Sequence, residues 1–163
     1  MIAHANCYPS ARLRQCRAGN RVNDPSALTP RGRLLLATLG VAAAILLATA
    51  RGLSPDPRGL GTHEQLGLAS CGFTRLTGWR CPTCGMTTAW SHAARGEIRS
   101  ALAASGGGTV LFGLMIVAAP WAISSALAGK WLGGRPSVRM LLGIGGAVLM
   151  VTAFDWARRI ATG

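Results

Sequence analysis

Three long runs without a charge constrain this chain more than anything else in it. Residues 34–50 (LLLATLGVAAAILLATA) and 101–129 contain no Asp, Glu, Lys or Arg, and residues 140–154 (MLLGIGGAVLMVTAF) are apolar or small throughout. A helix rising ~1.5 Å per residue needs about 20 residues to cross a ~30 Å hydrocarbon layer. The second run is long enough, and the first stands at the lower limit. The third reaches the length once Arg139 snorkels towards water and Trp156 sits in the interface. A soluble bundle would carry a polar stripe of period 3.6 on such helices, and these runs carry none. The expected fold is an all-α membrane protein with three transmembrane helices, at about 34–50, 107–128 and 139–156.

Half of the 163 residues are hydrophobic and 13% are charged, which excludes a disordered chain. The length suits a single membrane domain, 34–160, behind a basic tail, 1–33. That tail holds Arg12, Arg14, Arg17, Arg21, Arg31 and Arg33, and most of the net charge of +12 lies at its positions and in the loops. It has no periodic apolar positions, so a flexible segment at the membrane surface is expected. Without aromatic interleaving or a folded motif, it implies no specific nucleic acid. Ala48-Thr49-Ala50 has the form of a signal cleavage site, but 33 residues precede the apolar run, so a retained anchor is expected. Arg31 and Arg33, with Lys130, Arg135 and Arg139 in the short loop after the second span, favour an N-terminus on the inside.

Small residues in the runs suggest how the spans meet. Gly106, Gly107, Gly108, Gly113, Gly143, Gly145 and Gly146 permit close backbone approach, and Pro120 predicts a kink in the second span.

The loop at 51–100 carries the chemistry. Ser54-Pro55-Asp56-Pro57 stops the first helix, and Gly59, Gly61 and Gly67 surround Thr62-His63-Glu64-Gln65. Cys71, Cys81 and Cys84 then fall within 14 residues, the last two as Cys-Pro-Thr-Cys; Cys7 and Cys16 lie in the tail and are read as incidental. Pro82 suits a first helical turn, Met86, Trp90, Ala94 and Ile98 recur every four residues, and Gly96 marks a stop or bend. A short amphipathic helix lying on the bilayer is expected after Pro82, with Cys84 in the positive field of its N-terminus.

Three readings of the cysteines stand side by side. Cys71, Cys81 and Cys84 bind zinc, completed by His63 as the nitrogen ligand. Alternatively, Cys81 and Cys84 cycle between dithiol and disulfide with Cys71 resolving. In the third, the cysteines staple the loop. His92 lies eight residues along the expected helix from Cys84, ~12 Å at ~1.5 Å per residue, too far to join it. His63 beside Glu64 is also a possible acid–base pair, and Asp155 is expected to end the third span next to Arg158 and Arg159. There is no phosphate-binding glycine loop with lysine, no paired carboxylates and no nucleophile elbow.

The string Cys71…Thr77-Gly78-x-x-Cys81-Pro82-x-Cys84-Gly85-Met86-Thr87, followed by Arg95-Gly96, resembles a bacterial family of small multi-pass membrane proteins known as domain of unknown function 2752. The resemblance extends over about 34–160. It implies membrane residence, in the bacterial inner membrane, and marks Thr77, Gly78, Pro82, Gly85, Met86, Thr87 and Gly96 as motif positions. It departs at Thr88, where members often carry Arg. The family implies no activity. The residues point to a non-enzymatic accessory or scaffolding subunit whose Cys71/Cys81/Cys84 loop, metal-bound or disulfide-closed, docks a membrane-protein partner or a second copy. The alternative is a membrane thiol–disulfide oxidoreductase using Cys81 and Cys84.

Overall fold

The computed structural model describes residues 26–79 and 81–161. The expectations for Cys7, Cys16, Arg12, Arg14, Arg17 and Arg21 lie outside the described residues.

Helix α1 spans Pro30–Gly52, a full turn earlier than the charge-free run. Thr29 caps it by accepting from the Gly32 amide at 3.1 Å, and Pro30 needs no donor in the first turn. These two residues carry the helix through Arg31 and Arg33 before the apolar stretch begins. After the loop come α2 (Gly72–Thr77), α3 (Met86–Ala93) and α4 (Ile98–Ala104), then the long α5 (Gly106–Ala128) and α6 (Val138–Ala161). Ser105 caps α5 through its hydroxyl, which accepts from Gly108 N, and Gly129 ends it in a left-handed conformation. Pro120 lies inside α5, and the helix runs unbroken through it. α6 reaches Ala161, five residues beyond the expected end of the third span at 156.

The fold is helical throughout the described residues, apart from loops and one isolated bridge between Ala27 and Lys130. α1, α5 and α6 are long and apolar enough to cross a membrane, and the cysteine loop lies between the first and second of them. α5 is the centre: α1 and α6 each pack on it and not on one another, while α3 and α4 lie against its N-terminal half. Large apolar side chains such as Leu35, Leu39, Leu142 and Leu149 point outwards, as lipid-facing positions do.

The glycines divide unexpectedly. A Cβ on Gly107 would collide with the Thr152 side chain of α6, and one on Gly108 would come within 3.1 Å of Met86. Gly113, Gly143, Gly145 and Gly146 have nothing within 4 Å of that position, so they do not mediate contacts between spans. Gly40, in the run read only for its length, does: its Cβ would sit 2.7 Å from Ile123 of α5. Spacing names small residues, but only the packing tells which face the neighbour covers.

Replacing Gly107 by Leu is expected to lower the unfolding midpoint of the detergent-solubilised protein, overpacking costing about 1–3 kcal/mol. Gly143→Leu is expected to leave it unchanged. Equal midpoints for the two variants would mean that α6 does not seat on α5 at Gly107.

Candidate functional site

The loop folds by polar pairing against the ends of the spans. Arg58 closes the turn after Pro57: its amide and guanidinium both donate to Asp56, holding that carboxyl down at about 2, and the guanidinium also reaches Glu64 at 3.3 Å. Glu64 therefore pairs with Arg58, and the His63–Glu64 acid–base pair does not form. Gln65 clamps Ser54, donating to its carbonyl at 2.6 Å and accepting from its amide at 3.1 Å. Thr62 and Thr88, both fully buried, share a hydroxyl hydrogen bond of 2.8 Å. Thr88 is thus a neutral strut between the loop and α3.

Helix α3 begins at Met86, four residues later than Pro82 suggests. Residues 82–85 form a turn, in which the Cys84 amide donates to Cys81 O at 3.1 Å and the Met86 amide to Thr83 O at 3.2 Å. Gly85 decides this, because at φ 89 it cannot continue a right-handed helix. It also has no room for a side chain, since a Cβ would lie 2.5 Å from Ala104 O and 2.8 Å from Gly59 O. Cys84 therefore precedes the helix and is not within its first turn. Gly96 breaks the amphipathic pattern as expected, at φ 81, so Ile98 opens a separate helix, α4.

Helix α3 is tucked between α1 and α5. Ala89, Thr88 and Ser91 are fully buried. Ser91 donates to Leu53 O at the end of α1 (2.5 Å), and Trp90 donates to Gly108 O at the start of α5 (2.9 Å) while its ring meets Phe112 edge-on. Arg95 folds back onto Ser91, and His92 pairs with Glu97 at 2.6 Å. His92 is engaged there and stays out of the cysteine site.

Three cysteines converge from two segments. Cys71 stands at the head of α2, which Gly78 ends in a left-handed turn, with Thr77 bonding Phe73 O and the Trp79 amide. That short helix and turn return the chain so that the sulfurs of Cys71, Cys81 and Cys84 all lie within 4.8 Å of one another, each half-buried and each a free thiol. Thr83 lies 3.2 Å from the Cys81 sulfur and Thr74 3.7 Å from that of Cys84, both within hydrogen-bond reach. The Thr74 amide donates to Cys71 and draws its thiol down to about 7; burial pushes the Cys84 thiol up. The helix-start effect read for Cys84 is felt by Cys71. His63 lines a cavity of about 240 Å³ together with Cys71, Cys84, Thr83, Thr87 and Thr88, but its nitrogens do not join the sulfur cluster.

The contact that periodicity and motif could not reveal comes from the last span. Arg159 donates to Cys84 O at 3.2 Å and Ala104 O at 2.9 Å, and forms an ion pair with Asp155. Asp155, buried, also accepts from Gly106 N at 3.0 Å and from Arg158 at 2.9 Å. Asp155 was expected beside Arg158 and Arg159, and it is; its hold on the first residue of α5, 49 residues away, has no local signal.

The fold and the site together define a helical membrane protein with three spans and a cysteine-bearing loop packed on the span ends. Residues 71–119, from Cys71 to the middle of α5, match the family described as Protein of unknown function (DUF2752), the family that the motif resembles. No curated protein and no solved structure matches the chain.

Two measurements test this geometry. Asp155→Ala is expected to cost about 3 kcal/mol, because it leaves the buried Arg159 without its carboxylate; Arg159→Ala is expected to cost less, because Asp155 keeps Arg158 and the Gly106 amide. The double variant should cost far less than their sum, and additive losses would mean the two side chains do not interact. In metal-free, reduced protein, iodoacetamide should alkylate Cys71 before Cys84, with half-maximal rate near pH 7, because the thiolate is the reactive form. Peptide mapping across a pH series reads this, and faster labelling of Cys84 would contradict it.

Proposed function

We propose that the protein is an accessory or scaffolding subunit of a membrane assembly, in the bacterial inner membrane, and that its cysteine loop is a structural docking element. The observation that carries this is a pairing of rigidity with exposure. The loop and the helix α3 that follows it are tied to the ends of the spans: the Ser91 hydroxyl donates to Leu53 O after α1, the Trp90 indole to Gly108 O of α5, and Arg159 of α6 to Cys84 O of the loop. Beside the cysteines, Leu76 and Trp79 stand 88% and 59% exposed, with Leu66, Leu68 and Phe73 also turned outwards. Apolar side chains on a fixed loop outside the spans suit a membrane-protein partner or a second copy of the chain. Net positive charge at the other end, where Arg31, Arg33, Lys130, Arg135 and Arg139 are all exposed, supports an orientation with that end inside.

One observation favours a second reading, thiol–disulfide exchange. Free thiols lie within reach of one another, and backbone amides draw the Cys71 thiol down to about 7. Exchange would use Cys81 and Cys84 as the couple, with one thiol attacking a partner's disulfide and the other releasing it.

The two readings part on single cysteine variants. Under the structural reading, Cys71→Ser, Cys81→Ser and Cys84→Ser each lower the unfolding midpoint by a similar amount, since a shared staple or metal fails with any member missing. Leu76→Asp keeps the midpoint but reduces the size of the native assembly on blue-native gels. A folded Cys84→Ser protein carrying a reducible covalent adduct would establish exchange instead. An assembly unaltered by both Leu76→Asp and Phe73→Asp would remove the docking role.

A further inference from the structure

The cysteine cluster has both hydroxyl partners and a cavity beside it. Thr83 and Thr74 lie within hydrogen-bond reach of the sulfurs of Cys81 and Cys84. Cys71 and Cys84 also form part of the wall of the cavity of about 240 Å³, which Thr83, His63, Thr87 and Thr88 line with them. Zinc–sulfur bonds of ~2.3 Å at tetrahedral angles place neighbouring sulfurs ~3.8 Å apart, a small side-chain adjustment from sulfurs already within 4.8 Å. A disulfide would use two of the three and leave the third against it.

Hard ligands are not at hand. Among the described residues, every carboxylate is already engaged: Asp56 and Glu64 with Arg58, Glu97 with His92, and Asp155 with Arg158 and Arg159. Three sulfurs without a carboxylate select a soft cation. Three thiolates and a divalent ion carry a net charge of −1, and the loop carboxylates Asp56 and Glu64 are each already paired with Arg58.

We propose that Cys71, Cys81 and Cys84 form a three-thiolate site for a soft d10 cation, zinc above all, whose fourth coordination position opens into the cavity and accepts a small exogenous donor. This rests on the structural reading of the loop and deepens it: the cation braces the two cysteine segments, while its open position remains available to a ligand that enters past His63. His63 is then a wall of the entry and not the fourth ligand, in contrast to the closed three-sulfur, one-nitrogen set of structural sites. Thr83 and Thr74 would donate to the bound thiolates and orient them.

The test uses the full chain purified in detergent, reduced and stripped with a chelator. Titration with Co(II) is expected to saturate at one ion per chain, with the visible bands of a four-coordinate ion and thiolate charge transfer, and Zn(II) should displace it. Imidazole added to the Co(II) form should shift the visible bands, in the wild type and in His63→Ala alike, while each Cys→Ser variant loses the ion. Because a cysteine variant can fail to fold, the titration and imidazole response of the wild type stand on their own. No saturable binding would overturn the site, as would a disulfide between any two of the three cysteines in the unreduced protein. Loss of the four-coordinate spectrum in His63→Ala, with no response of the wild type to imidazole, would overturn the open position in favour of a closed one. Failure here with equal destabilisation by all three cysteine variants would leave the docking reading in place; a trapped covalent adduct would remove that reading instead.

Discussion

One ion pair near the end of the last span holds the parts of this protein in register. α6 packs on α5 alone and has few buried residues, so apolar contact does little to fix where its C-terminal end lies. Asp155 supplies the missing constraint by accepting from the first amide of α5, where the helix leaves unpaired donors. Arg159, paired with Asp155, carries its other donors to the carbonyls of Cys84 and Ala104. A planar guanidinium presents several donors in a fixed fork, and Arg159 uses them on an acid and two carbonyls at once. The last span, the start of the second and the cysteine turn thereby meet at one place.

Elsewhere the chain is held by small residues and satisfied polar groups. The fully buried side chains of greatest volume are Thr62, Thr88, Ser91, Ser105 and Ser125. In a membrane protein the driving force of hydrophobic burial is shared with lipid, so helices associate through close packing and hydrogen bonds between small side chains and backbones. No buried side-chain nitrogen or oxygen among the described residues is left without a partner. The same logic places Leu, Ile and Val outwards on α1 and α6, inverting the arrangement of a soluble core.

The cysteine loop is the point at which this scaffold turns to chemistry. Gly78 and Gly85, both left-handed, reverse the chain on either side of the Cys-Pro-Thr-Cys turn, and the second lies too close to Ala104 and Gly59 for any side chain. Gly78 and Gly85 are therefore geometric requirements of the turn that gathers the sulfurs. The threonines have parallel roles: Thr77 closes α2, and Thr87 lines the cavity beside the cluster.

Composition and spacing alone determined the three spans, the position of the loop between the first two, the break at Gly96 and the membership of Cys71, Cys81 and Cys84 in one motif. These are local properties: helix length against bilayer thickness, glycine conformation, and residue types within a short stretch. The tertiary structure alone decided which glycines touch a neighbour, that α3 starts after Gly85 and leaves Cys71 as the thiol lowered by backbone amides, that His63 stops at the cavity wall, and that Arg159 reaches Cys84. The glycine contacts, the place of His63 and the reach of Arg159 depend on segments far apart in the chain, and the start of α3 and the Cys71 thiol on turn conformations at Gly85 and at the head of α2; the periodicity of one segment encodes none of them. Gly40 and Gly143 look alike in sequence, and only the presence of Ile123 opposite the first separates them.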